Sequence, residues 1–252
     1  MSDLLSSPVA LWAFCAGVFL AAGVVKGVVG LGLPTLAMAL LALAMTPARA
    51  AALLILPSLV TNVWQMLPRR TLGALLRRLG PMQVGVFAGT LLASWRLGAP
   101  AGAWAALALG VALVAYGAWG LSGAQLPRVS PGVERWLGPL VGAVTGAVTA
   151  ATGVFVIPAV PYLQALGLQR DELVQGMGLS FTVSTIALAL GLAINGQYPV
   201  AALGGSALML LPALLGMQAG QWLRLRLSPP RFKQCFMAAL ILLGGWMVWR
   251  AW

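Results

Sequence analysis

Lys26-Gly-Val-Val-Gly-Leu-Gly-Leu-Pro34 interrupts a long apolar run and governs how the rest of the chain is read. Gly27, Gly30 and Gly32 are spaced i, i+3, i+5. Such spacing permits close helix packing or a break in the backbone. Pro34 suits the first turn of a new helix, where its missing N–H is not needed. The stretch therefore predicts one helix ending and another starting at membrane depth. A break of this kind exposes peptide N–H groups and a positive dipole end to an anion. It is tolerated in a bilayer only where protein or a water-filled cavity surrounds it. It is not a phosphate loop, since no Gly-Lys-Ser/Thr ending follows and no strand precedes it.

The setting is apolar throughout. Of 252 residues, 61% are apolar and 8% charged. A soluble domain carries about 25% charged residues, so this chain needs lipid to accept its surface. Ten apolar segments are predicted, at 9–32, 33–46, 48–67, 81–97, 101–121, 137–153, 154–168, 172–194, 200–223 and 233–251. A crossing needs roughly 20 residues. Segments 33–46 and 154–168 fall short of that, and each opens near a proline, Pro34 or Pro158. They read as half-helices, re-entrant hairpins or marginal crossings.

The second short segment belongs to a repeat. Gly23 and Gly27 match Gly142 and Gly146, Pro34 matches Pro158, Ser58 and Thr61 match Thr182 and Thr185, and Gly89 and Trp95 match Gly216 and Trp222. The ordered series predicts two halves of five segments, 1–125 and 126–252, joined through the linker near 122–136. The fold class is an all-α polytopic transmembrane bundle of two inverted repeats with broken or re-entrant helices.

Inversion follows from charge. Arg69, Arg70, Arg77 and Arg78, then Arg128 and Arg135, then Arg224, Arg226, Arg231 and Lys233 occupy three connectors. The positive-inside rule places all three in the cytoplasm. The uncharged 195–199 connector and the one at 97–100 belong outside, with the N-terminus. Only an odd number of crossings per half satisfies this, and odd halves are inverted. The opening Met-Ser-Asp-Leu-Leu-Ser-Ser-Pro has no basic n-region and does not read as a typical signal peptide. The ten tryptophans, clustered near segment ends, read mainly as interface anchors.

Chemistry-bearing residues are few. His is absent, and Asp3, Glu134, Asp171 and Glu172 lie near segment ends or in connectors. Cys15 and Cys235 are isolated and read as packing, so neither metal, cofactor nor disulfide is expected. Acid–base or metal catalysis would need those missing groups, so an enzyme is not expected. The charge of +11 sits in short connectors, with no basic stripe for nucleic acid. Lys26 is different, because it lies inside an apolar run without an acid at similar depth. Such a Lys costs about 2.5–3.5 kcal/mol to insert, so it either snorkels to a headgroup or attracts an anion.

The matched break runs through Thr145, Thr149, Thr152, Gly153 and Pro158, with Thr145 in the place of Lys26. Ser58, Thr61, Asn62 and Gln65 share one helical face. Gln175, Thr182 and Thr185 share another with Gly178, and Ser180 lies beside it. Polar stripes in membrane helices often bond helix to helix. Alternatively they replace an anion's hydration shell, and their equivalent positions favour that reading.

The Gly27-Val-Val-Gly-Leu-Gly-Leu-Pro34 break, its copy Gly146-Ala-Val-Thr-Ala-Ala-Thr-Gly153 leading to Pro158, and Gln175-Gly-Met-Gly-Leu-Ser180 resemble the sulfite exporter TauE/SafE family. Val29 and Leu31 interrupt what is commonly a run of glycines in that family, and Ala150-Ala151 stand where glycine is expected. The resemblance implies transport of sulfite, sulfonates or related organic anions across the cytoplasmic (inner) membrane. The expected function is secondary transport of a small anion, with proton or sodium coupling open and the oligomeric state unread. An anion channel or uniporter, or a non-transporting subunit of a membrane complex, is the alternative.

Overall fold

The structure is a computed structural model and describes residues 7–67, 71–198 and 200–251. Asp3, Arg69, Arg70, Pro199 and Trp252 lie outside the described residues. The described chain forms ten helices: α1 (Pro8–Val29), α2 (Leu33–Leu41), α3 (Pro47–Gln65), α4 (Leu72–Leu97), α5 (Gly102–Ser122), α6 (Pro131–Thr152), α7 (Ala159–Ala165), α8 (Arg170–Ile194), α9 (Val200–Arg224) and α10 (Pro229–Ala251). Six of them, α1, α3, α5, α8, α9 and α10, are long and apolar enough to cross a membrane.

Starts follow local chemistry. Ser7 caps α1 by accepting from the Ala10 amide at 3.2 Å, with Pro8 in the first turn. Gln169 and Glu172 form a capping box at α8. Two helices begin six or more residues earlier than the hydropathy predicts. α4 starts at Leu72 rather than 81, and α6 at Pro131 rather than 137. Arginine is a good helix former, so Arg77 and Arg78 extend α4 instead of forming a connector.

Polar contacts tie the ends to two opposite faces. Val129 N–H donates to Ala165 O, and Gln65 of α3 donates to Gly30 O, on the face that also carries Arg224 and Lys233. Ala48 N–H donates to Pro100 O on the other face, where the start of α1 meets Gly196 and Gln197. The stretch from Gly30 to Ala48 therefore returns through the molecule, and so does the stretch from Gly153 to Ala165. With nine and seven residues, α2 and α7 span only about 14 and 10 Å of that path. The rest is non-helical chain or single turns, held inside protein. Each short segment carries the chain back toward the other face, which leaves Arg128, Arg224 and Lys233 on one face.

Small residues set the packing. A Cβ on Gly23 would sit 2.3 Å from Ala213 O and 2.9 Å from Met217 N. One on Gly142 would sit 2.1 Å from Met82 O and 2.9 Å from Val86 N. Gly27 stands likewise against Met217 O and Gln221 N, and Gly146 against Val86 O and Thr90 N. α1 thus runs parallel to α9 with backbones touching, and α6 parallel to α4. In this register Gly216 corresponds to Gly85 and Gly220 to Gly89, one turn away from the Gly89–Gly216 match read in the sequence. Either glycine of each pair fits a one-dimensional comparison, and only the contacts choose. α5 packs on α10 and α3 on α8.

Candidate functional site

Lys26 is in the last turn of α1 and is 4% exposed. Its Nζ does not reach outward to a headgroup. It donates to Asn62 Oδ1 and, at 3.1 Å, to Thr61 Oγ1, both on α3. Asn62 in turn donates from Nδ2 to Thr185 Oγ1 of α8 at 3.4 Å. This chain of contacts joins α1, α3 and α8. Gln65, one turn along α3, donates to the carbonyl of Gly30 at 2.8 Å and so fixes the first break. Gly30 and Gly32 hold φ of 84° and 111°, a region that L side chains rarely adopt.

These residues floor a chamber of about 1050 Å³ that opens on the basic face. Lys26, Gly27, Gly30, Thr61 and Gln65 line it, together with Arg170, Arg224 and Lys233. Gln164 and Gln221 add neutral donors, while Trp64, Met177 and Met217 give an apolar wall. No carboxylate lines the chamber among the described residues. Glu134 is engaged instead with Arg78, through Nε at 2.8 Å and Nη2 at 2.9 Å. Sequence reasoning assigned Arg224 and Lys233 to topology alone and missed Arg170, Gln164 and Gln221. Gln164 carried a signal as an amide within an apolar run, whereas Gln221 shares its run with Gln218 and Arg224.

The other site candidates separate from this centre. Gln175 accepts from Thr71, and Ser180 exchanges hydrogen bonds with Gln83 at 2.9 and 3.2 Å, so both tie α8 to the α4 side. Thr182 donates to Gly178 O, one turn back on its own helix. Ser58 is fully buried, and its Oγ has no hydrogen-bond partner among the described residues. Pro34 is buried in the first turn of α2.

The second break is elsewhere. Gly153 caps α6 with φ 71°, beside Met38 and Ala51. Thr145, Thr149 and Thr152 return their hydroxyls to carbonyls of α6 itself, Val141, Thr145 and Val148. Pro158 caps α7 after a cis peptide bond. Ala51 and Gln65 mark the two breaks on α3 and are fourteen residues apart, roughly 21 Å along the axis. The two breaks therefore do not meet near the bilayer midplane. α1 and α6 each run nearly the full depth before ending, on opposite faces.

The family model of the sulfite exporter TauE/SafE matches residues 15–247. The chain belongs to the TauE/SafE family. No curated protein and no solved structure matches it. In this TauE/SafE protein the matched span takes in both breaks, the chamber and eight complete helices from α2 to α9 with most of α1 and α10. It is a multi-pass membrane protein of a transporter family.

Proposed function

We propose that the protein is a secondary transporter of a small anion, sulfite or an organosulfonate, across the cytoplasmic membrane. The observation that carries this is Lys26: a buried lysine whose side-chain partners are all neutral, at the foot of a chamber whose charged lining residues are all basic. A lone buried charge is costly. An arriving anion offsets that cost, and Thr61, Gln65 and the backbone at Gly30 give it neutral surroundings. The basic chamber mouth faces the cytoplasm under the positive-inside rule.

Two halves, 1–125 and 126–252, act as inverted repeats in this reading. Its support is the twofold recurrence of glycine contacts, Gly23 and Gly27 on α9 against Gly142 and Gly146 on α4. Five traverses per half give the two units opposite orientation. Rocking of one half against the other would alternately open the basic chamber and its counterpart on the far face.

Thermal unfolding of the purified protein with sulfite, sulfate, thiosulfate, sulfoacetate and taurine tests the reading. A ligand at a hundred times its Kd stabilises the state it binds by about 2.7 kcal/mol. Sulfite or a sulfonate should raise the midpoint and should be taken up by proteoliposomes. No shift and no uptake with any of these anions would end the proposal. Uptake indifferent to every imposed gradient would instead mark a uniporter or channel.

A further inference from the structure

An ammonium carries three N–H donors, and the amine left when it loses a proton carries two. Among the described residues, Nζ of Lys26 has two acceptors, Asn62 Oδ1 and Thr61 Oγ1. Both are oxygens of neutral groups, and both are held in place. Asn62 is anchored by its Nδ2 contact to Thr185, and Thr61 gives its own hydrogen to Pro57 O at 2.6 Å, leaving the oxygen to accept. Two fixed acceptors match the neutral amine. The third hydrogen of the ammonium has no acceptor among the described residues.

No neighbouring charge fills that gap. The charged groups facing the chamber are Arg170 of α8, Arg224 of α9 and Lys233 of α10, all cationic, and α7 and α9 add the neutral Gln164 and Gln221. The described carboxylates are outside the chamber. Glu134 pairs with Arg78, Glu172 accepts from the Gln169 amide, and Asp171 is exposed in the first turn of α8. Arginine keeps its proton under all physiological conditions, whereas lysine can give its proton up.

We infer that Lys26 is a proton-binding site coupled to the anion site: Nζ takes a proton from chamber water as the anion arrives and returns it to water as the anion leaves. Anion and proton then cross together, and the empty site returns as the neutral amine held by Asn62 and Thr61. This rests on the anion-transport reading above.

Methanesulfonate is the probe, because a strong-acid anion cannot itself carry the proton. In proteoliposomes with the membrane potential clamped, one-to-one coupling gives about tenfold accumulation per unit of pH gradient. The wild type should reach it. Lys26→Arg, which keeps the charge and cannot release it, should exchange methanesulfonate without accumulating it. In weakly buffered detergent solution, wild-type protein should take up about one proton per anion bound. Exchange by the wild type without gradient response or proton uptake overturns the proton site alone. Gradient-driven accumulation by Lys26→Arg overturns it as well. A wild type that neither binds nor exchanges the probe overturns the anion reading beneath it. Should Lys26→Arg fail to fold, the two wild-type measurements still decide.

Discussion

Two side chains show how single residues carry this protein. Lys26 is the first. Hydrogen bonds to charged groups contribute about 1.5–3 kcal/mol, which is roughly 10- to 100-fold in affinity. Lys26→Met should weaken anion-induced stabilisation by that factor while the protein still purifies as a folded species. Unchanged binding would show that the cations at the chamber mouth suffice. Ser206 of α9 is the second. Pro57 has no N–H to give to Leu53 O in the α3 ladder. Ser206 Oγ fills the gap, donating to Leu53 O at 2.8 Å and accepting from Leu56 N–H at 3.0 Å. The serine is fully buried. Ser206→Ala should cost about 1–3 kcal/mol, read as a lower unfolding midpoint. A variant as stable as wild type would mean the proline gap is filled in some other way.

Among elements, the parallel pairs α1–α9 and α4–α6 depend on backbones that touch. A methyl at Gly146 would lie 2.4 Å from Val86 O and 2.5 Å from Thr90 N, neither of which can swing aside. Overpacking of this sort costs about 1–3 kcal/mol. Gly146→Ala and its counterpart Gly27→Ala should both destabilise by that amount and reduce flux. Gly17 on α1 and Gly80 on α4 have open space around the same position. Alanine there should be neutral or stabilise by about 0.5–1 kcal/mol. Chemical unfolding of the four variants separates the sets, and equal effects would refute the touching-backbone account.

For the whole molecule the testable quantity is sidedness. Ala124 follows α5 on the basic face, and Gln197 lies in the α8–α9 connector on the other face, both exposed. In a background without Cys15 and Cys235, Ala124→Cys should react with an impermeant thiol reagent from the cytoplasmic side only. Gln197→Cys should react from the opposite side only. Labelling of both from one side would contradict five traverses per half.

How far the sequence reached differs with the question. Lipid as solvent, the two breaks, the linker and the common side of the basic connectors are properties of composition and order. They are local or additive, and a one-dimensional reading recovers them. Lys26 was legible too, because an unpaired cation in apolar sequence is costly wherever the chain goes. Its partners were partly legible, since Thr61, Asn62 and Thr185 were flagged by their stripes.

What tertiary structure decided is which stripe member faces which neighbour. α8 touches α3 and α4 on different sides. Thr185 therefore joins Lys26 while Gln175 and Ser180 are used up on Thr71 and Gln83. The same holds for the breaks. Their matching sequences point to matching roles, but α1 and α6 run nearly full depth in opposite directions and put them at opposite faces. Periodicity fixes the face of a residue on its own helix. The neighbour presented to that face depends on how closely the backbones approach, and that is set by glycine contacts distant in the chain.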